Sequence, residues 1–154
     1  MGVVRTLMKT EIVTAAPGEK VREVARRMPQ RQVGAVLVVE GDKLRGIFSE
    51  RDLLNRVVAP DRDGDTPVSV VATREVVAVE AQTSIRRCAQ LLKEQRCRHL
   101  PVLEQGKPVG IISARDFFEH VVDGLERYID QQRYQAQLDE GIDPYDHFGG
   151  GYDK

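Results

Sequence analysis

The chain has 154 residues, a net charge of −1, 41% apolar residues and 31% charged residues, a composition typical of a globular protein that buries its core without disulfides or metal. A near-neutral chain without a basic run does not favour nucleic acid as a partner, because binding to a phosphate backbone needs a positive face. No apolar run is long enough to cross a bilayer and no signal-peptide pattern is visible, so we expect a cytoplasmic protein without a membrane partner.

A strand and an amphipathic helix follow a lead-in segment of residues 1–10. Residues 12–14 predict a short strand. The next segment has apolar residues at i, i+3, i+4 and i+7, which places them on one buried helix face. These residues are Val21, Val24, Ala25 and Met28. We expect Pro29 to shorten this helix, because proline cannot continue the hydrogen-bond ladder.

Two apolar strands, residues 35–39 and 44–48, come next and are joined by a tight polar turn. Such a turn joins antiparallel strands, and continuously apolar strands are typical of a sheet covered on both faces. The second strand runs into a predicted helix that begins at Ser49. Asp52 follows three residues later, which is capping-box spacing with Asp in place of the usual Glu or Gln.

The same unit occurs a second time, with its first strand predicted over residues 76–79. The motif glycine stands at residue 46 and again at residue 110, 64 residues later, and residues 75–122 match residues 11–58 without a gap. A repeat of this kind indicates one structural unit used twice, and two such units packed together can cover both faces of each sheet. Identical pairs include Val13/Val77, Arg22/Arg86, Ala25/Ala89, Val38/Val102, Gly46/Gly110, Ser49/Ser113, Arg51/Arg115 and Asp52/Asp116.

The repeated Ser-x-x-Asp motif has two readings. A helix start presents unpaired N–H groups and the positive end of the helix dipole, which favours a phosphate, and a short carboxylate beside it can accept both hydroxyls of a ribose. Alternatively, Ser49 with Asp52, and Ser113 with Asp116, only cap two helices. The duplication of the motif in the same register favours ligand binding.

The segment between the repeats, residues 59–74, predicts a solvated linker with a short helix that starts near Thr66. Asp61, Asp63 and Asp65 alternate as in a calcium loop, but the glycine and glutamate that such a loop needs are missing. His120 and His147 have no convincing partners, so no metal site is predicted.

The C-terminal segment, residues 123–154, predicts a continuation of the last helix to about Ala136 and then an acidic, glycine-rich tail. Its composition is typical of disorder, but it holds most of the aromatic rings of the chain, and we expect these to pack on the body or on a partner chain. These aromatic residues are Tyr128, Tyr134, Tyr145, Phe148 and Tyr152.

The repeat unit and its two G-I-[FI]-S-x-R-D motifs resemble the cystathionine-β-synthase (CBS) domain, and the pair resembles a Bateman module. The resemblance implies an α+β (α/β) fold of two βαββα units related by a pseudo-twofold axis, with a C-terminal helix and tail. CBS domains are then expected at residues 11–58 and 75–122. It also implies that an adenine nucleotide (AMP, ADP, ATP or NAD) binds in clefts between the units.

The resemblance assigns roles to the motif residues of both copies, with the serine contacting phosphate and the aspartate holding the ribose diol. It places the first strand of each copy around the adenine, although plain core packing is the alternative for these residues. Arg98 and His99, which copy one replaces with Gly34 and Ala35, resemble a position that reaches the phosphates in some family members. The expected site residues are Ser49, Arg51, Asp52, Ser113, Arg115, Asp116, Arg98, His99, Val13, Thr14, Ala15, Val77, Ala78 and Val79.

The function indicated by these features is that of a stand-alone regulatory module that senses a nucleotide, forms a homodimer and acts on an unknown partner protein. The alternative is a structural dimerisation module without a physiological ligand. An enzyme is not expected, and no catalytic cofactor, because the sequence shows no nucleophile–base pair, no Walker-type phosphate loop and no catalytic cysteine setting.

Overall fold

The computed structural model describes residues 2–141, which divide into two units. The first unit ends at Phe117 and contains two three-stranded sheets, and the second begins at Phe118 and, in its described part, continues the last helix. The predicted packing of Tyr145, Phe148 and Tyr152 falls outside the described residues. Within residues 2–141, no helix is both long enough and apolar enough to cross a bilayer.

The first repeat forms the first sheet. Its elements are β1 (Thr14–Ala15), α1 (Val21–Arg31), β2 (Ala35–Glu40), β3 (Lys43–Ser49) and α2 (Glu50–Asp52), which continues in π-helical turns over Leu53–Val58. The strand order is β1-β2-β3, with β1 parallel to β2 and β2 antiparallel to β3. Gly41 in the hairpin turn has a φ of +60°, a left-handed conformation that glycine adopts without a steric cost. The predicted hairpin is confirmed.

The second repeat forms an equivalent sheet. It follows a short helix, α3 (Val68–Val71), and consists of β4 (Val79–Glu80), α4 (Ile85–Glu94), β5 (His99–Glu104), β6 (Lys107–Ser113) and α5 (Ala114–Asp139). The order β4-β5-β6 has the same parallel and antiparallel pairings as the first sheet. The structure therefore confirms the predicted fold of two βαββα units.

The first strand of each repeat differs from the prediction. We expected strands over residues 12–14 and 76–79, but the paired residues are Thr14–Ala15 and Val79–Glu80. The apolar pattern of these segments reflects burial, since Val13 is only 7% exposed, whereas a strand extends only as far as its neighbour pairs with it.

The prediction that Pro29 shortens α1 is wrong. The helix includes Pro29 and ends at Arg31. Because Pro29 stands in the last turn, its missing N–H removes a hydrogen bond only near the end of the helix. Gln32 then adopts a left-handed conformation and donates its N–H to the carbonyls of Met28 and Pro29, which terminates the helix.

Each sheet has its own apolar core. The first core contains the buried face of α1 and the inner residues of β2 and β3, including the fully buried Phe48. The second contains the same elements of the second repeat, including Cys88 and the fully buried Leu100 and Ile112. Cys88 is therefore a core residue.

Each sheet is completed by the segment that precedes the other repeat. Residues 3–9 cross to the second repeat, where Val3 bridges to Ser84 and Lys9 to Ile111. Residues 67–73 stay with the first repeat and make the equivalent bridges, which are Pro67 to Lys20 and Thr73 to Ile47. Each residue of these bridges has its equivalent 64 residues away. Because each segment completes the sheet of the other repeat, we call residues 3–9 and 67–73 the exchanged segments.

The motif glycines make room for the exchanged segments. A Cβ at Gly46 would lie 3.0 Å from the Thr73 carbonyl oxygen, and a Cβ at Gly110 would lie 2.9 Å from that of Lys9. Real side chains do not approach a backbone oxygen so closely without displacing it. Glycine in the repeated motif is therefore required by a close backbone crossing, which places Thr73 and Lys9 beside the two motif carboxylates.

Candidate functional site

The two Ser-x-x-Asp motifs form the predicted capping boxes. Ser49 N donates to Asp52 Oδ2 at 2.9 Å, and Asp52 N donates to Ser49 Oγ at 3.3 Å. The second motif repeats this arrangement, with Ser113 N 3.3 Å from Asp116 Oδ2 and Asp116 N 3.1 Å from Ser113 Oγ. In each motif these bonds fix the aspartate at the start of its helix, and the cap hydrogen bonds to the carboxylate are accepted by its Oδ2 oxygen.

The other oxygen of Asp52 faces polar neighbours. Asp52 is only 7% exposed, and it is the buried charged residue among the described residues. The Thr73 hydroxyl donates to Asp52 Oδ1 at 3.1 Å, and Arg56 Nε lies 3.7 Å from the same oxygen. Arg56 also donates to the carbonyl oxygens of Val71 and Ala72, so its guanidinium is fixed to the backbone of the exchanged segment.

A cavity of about 300 Å³ opens beside Ser49 and Asp52 and is built from both repeats. Its charged side chains are three arginines and three carboxylates. Arg51, Arg96 and Arg98 supply the positive charges, and Glu50, Asp52 and Glu75 supply the negative charges. Its remaining lining residues are Gly34, Ile47, Ser49, Thr73, Val76, Val77, Gln95, Cys97 and His99.

Arg98 and His99 line the cavity that holds the motif of copy one. Copy one has Gly34 and Ala35 at the equivalent positions, so the repeat supplies this basic pair only once. Arg51, in the first turn of α2, donates to the carbonyl oxygen of Arg96 at 3.4 Å. The structure thus brings together the first motif and the basic residues before β5.

His99 packs beside Gly34 and Glu50 of copy one. A Cβ at Gly34 would lie 3.4 Å from His99 Nε2 and 3.6 Å from Glu50 Cδ. Burial lowers the pKa of the His99 imidazole, and Arg98 lowers it further, while the carboxylates of Glu50 and Asp116 act in the opposite direction. The net shift is downward, which favours the neutral imidazole and leaves the arginines as the cationic side chains of this wall.

The remaining predicted site residues divide between the cavity and the two cores. Val77 lines the cavity, whereas Val79 is buried in the second core. Val13 and Ala15 are buried in the first core and Thr14 between them is exposed. Ala78 is half-buried. Val13, Ala15 and Val79 are therefore core residues in the structure, which agrees with the core-packing alternative for them.

The second motif carboxylate has a different partner. Lys9 Nζ lies 3.0 Å from Asp116 Oδ1, and the Asp116 side chain is 13% exposed. Burial would raise the pKa of this carboxyl group, but hydrogen bonds from Ser113 and Lys9 outweigh burial and hold the pKa below its usual value. Arg115 precedes Asp116 in the first turn of α5.

Sequence reasoning missed Lys9, Thr73 and Arg96. Lys9 and Thr73 stand 64 residues apart, as do the buried Val4 and Val68. Extending the repeat alignment upstream of residues 11 and 75 would have found this pair, because the apolar pattern continues there. Arg96 carries no such signal, since only the fold brings it to the cavity.

Comparison with known proteins places this fold in a family. The model of the CBS domain matches residues 4–59 and again residues 68–123, and the two tandem matches together cover most of the chain. The chain belongs to the CBS domain family. It is a tandem CBS pair, or Bateman module, and both matched ranges begin within the exchanged segments.

Several relatives share this CBS pair. The CBS domain-containing protein YhcV of Bacillus subtilis is 37% identical over 116 residues, which cover 75% of this chain and 83% of that protein. A CBS-domain containing protein from Agrobacterium tumefaciens is 30% identical with a TM-score of 0.72, covering 77% of this chain and 98% of that one. A CBS domain protein from Pyrobaculum aerophilum, solved in complex with AMP, is 27% identical with a TM-score of 0.70, covering 75% and 89%.

Proposed function

We propose that this CBS pair binds an adenine nucleotide in the cavity beside Ser49 and Asp52 and that occupancy of the cavity regulates a partner protein. One observation carries the proposal: a buried carboxylate and three arginines face one cavity of about 300 Å³. A nucleotide combines a ribose diol with phosphates. A carboxylate accepts hydrogen bonds from the diol hydroxyls, and arginines bind the phosphates through paired hydrogen bonds. The AMP complex of the Pyrobaculum aerophilum relative supports this ligand class.

The cavity also offers a surface for the base. Ile47, Val76 and Val77 are apolar lining residues, and apolar walls with a few placed polar groups are typical of small-molecule sites. We propose that the ribose diol binds to Asp52 and the phosphates to Ser49 and the arginines. The adenine then packs against Val76 and Val77.

The second motif is proposed to form an equivalent cleft through Ser113, Arg115 and Asp116. The 64-residue offset makes residues 13–15 equivalent to residues 77–79. We therefore propose Val13, Thr14 and Ala15 for the second cleft and Val77, Ala78 and Val79 for the first. The proposed activity of both clefts is binding, with no chemical step. The second candidate, a structural pair without a ligand, is an outcome of the following test.

A titration of the full chain with AMP, ADP, ATP and NAD, and with GTP as a control for the base, tests the proposal. We expect saturable binding of at least one adenine nucleotide and a rise in the midpoint of thermal unfolding, because a ligand that binds only the folded state stabilises it. Absence of binding heat and of a thermal shift with all four adenine nucleotides would favour the structural module. Release of a chemically altered nucleotide would instead indicate an enzyme.

Arg98 is predicted to discriminate between ligands of different phosphate number. Arg98→Ala should weaken ATP binding by about tenfold, the equivalent of one charge-assisted hydrogen bond, and AMP binding much less. Arg45→Ala is a matched control, because Arg45 lies on β3 and is half-exposed beside Glu40. Isothermal titration of both variants with both nucleotides measures the difference. Equal losses for ATP and AMP would contradict the prediction.

We also propose that the protein forms a homodimer through α5. Exposed apolar residues of this helix follow the 3-4-3 spacing of a helix-pairing seam; they are Phe118, Val121, Leu125 and Tyr128. Sedimentation at micromolar concentration should show a dimer, and Leu125→Asp should shift it towards the monomer. A monomer in the unmodified protein, with and without nucleotide, would refute the proposal.

A further inference from the structure

The two motif carboxylates meet different side chains at the same place in the repeat. Thr73 and Lys9 are equivalent under the 64-residue offset, and each makes a pair of backbone hydrogen bonds of 2.8–2.9 Å with Ile47 or Ile111. The Thr73 hydroxyl donates to Asp52 Oδ1 at 3.1 Å, whereas the Lys9 ammonium lies 3.0 Å from Asp116 Oδ1. The first carboxylate therefore has a neutral partner here and the second a cation.

The position of Lys9 is set by its backbone. Both the N–H and the carbonyl of Lys9 are bonded to Ile111, and Met8 beside it fills the space above Gly110, where a Cβ would meet its sulfur. The ammonium is thereby held over Asp116, although the lysine side chain remains 68% exposed. Water weakens an ion pair of this exposure. Lys9 therefore interacts with Asp116 Oδ1 while the carboxylate keeps its charge.

Hydroxyl and ammonium groups differ in what they allow a ligand to do. In both motifs the Oδ2 oxygen already accepts the cap hydrogen bond, so a ribose diol that binds the carboxylate with both hydroxyls also needs Oδ1. A threonine hydroxyl can rotate and accept a hydrogen bond, whereas an ammonium only donates. Thr73 can thus share Asp52 with a ribose hydroxyl, but Lys9 competes with the ribose for Asp116. Arg56 is a weaker competitor at Asp52, because it lies 3.7 Å away and donates to two backbone carbonyls.

We propose that Lys9 sets the affinity of the second cleft: its ammonium occupies the Asp116 oxygen that a ribose diol requires, so this cleft binds its nucleotide more weakly and fills after the Asp52 cleft. The inference rests on the proposed function, which supplies the ligand. The difference between Thr73 and Lys9 therefore determines which of two otherwise similar sites has the higher nucleotide affinity.

The test exchanges the two partners. In an Asp52→Asn background, in which the first cleft is weakened, Lys9→Thr should raise the affinity of the second cleft for AMP by about tenfold, the size of effect expected from a single polar contact. Lys9→Met should raise it less, because methionine removes the competing cation but accepts only weakly. In the otherwise unmodified protein, Thr73→Lys should weaken the stronger site by a similar factor. Isothermal titration of the full chain measures these affinities.

Lys107→Thr is the matched control, since Lys107 pairs with Asp42 in the hairpin turns at 3.3 Å, away from both motif carboxylates. If Lys9→Thr leaves the second affinity unchanged or lowers it while the unmodified protein binds two nucleotides unequally, the inference is wrong and the proposed function stands. Two equal sites in the unmodified protein would also overturn it. If the unmodified protein binds no nucleotide, the proposed function fails and this inference fails with it.

Discussion

Replacing Phe48 with alanine is expected to lower the free energy of unfolding by about 3–5 kcal/mol, because the substitution removes a large buried side chain and leaves a cavity. Phe48 lies on β3 next to the cap residue Ser49, and its side chain is fully buried in the first core. A loss of this size is a large share of the stability of a typical domain. Chemical denaturation, followed by circular dichroism, measures it.

Leu54→Ala provides the comparison for Phe48→Ala. Leu54 follows α2 and is 59% exposed, so its truncation should change the free energy of unfolding by no more than about 0.5 kcal/mol. Phe48→Leu should fall between the two, because leucine fills part of the space. A loss below about 1 kcal/mol for Phe48→Ala would contradict the core described here.

Asp52→Asn should weaken the stronger nucleotide site by about tenfold or more, since removing one charge-assisted pair of hydrogen bonds costs roughly 1.5–3 kcal/mol. Asparagine keeps an oxygen that can accept from Ser49 N, so the helix start is preserved while the charge is lost. Isothermal titration with AMP measures the affinity, and denaturation verifies that the variant is folded.

Asp116→Asn is the matched variant in the second cleft. It should weaken the weaker site and leave the stronger one unchanged, because Asp52 and Asp116 belong to separate motifs with separate partners, Thr73 and Lys9. Unchanged affinity in a folded Asp52→Asn variant would mean that Asp52 acts only as a helix cap. Equal effects of both variants on both sites would indicate a single shared site.

The parts of the fold that depend on local pattern could be predicted from the sequence. The hairpin strands are continuous apolar runs around a polar turn, and the capping boxes are set by a serine and an aspartate three residues apart, so both were predicted correctly. The edge strands β1 and β4 were misplaced, because each is defined by pairing with only two residues of a distant strand. Pro29 was misjudged because its position within the last turn determines its cost.

The candidate site could be predicted only where its residues share a motif. Ser49 and Asp52 are close in sequence, whereas Thr73 reaches Asp52 through a backbone crossing at Gly46 and Arg98 arrives from the other repeat. Such contacts depend on how the two sheets and the exchanged segments meet. A repeat offset reveals which positions are equivalent, but it does not reveal which repeat each segment joins.

Because of the exchanged segments, the completion of each sheet depends on the order in which the chain is synthesised. The segment that completes the second repeat, residues 3–9, leaves the ribosome before either repeat and must wait until Ile111 has been made. The first repeat waits for Thr73, and until then the edge of β3 around Ile47 has no partner. An unpaired apolar edge is a template for aggregation. The nascent chain therefore exposes this edge between the emergence of the first hairpin and that of residues 67–73.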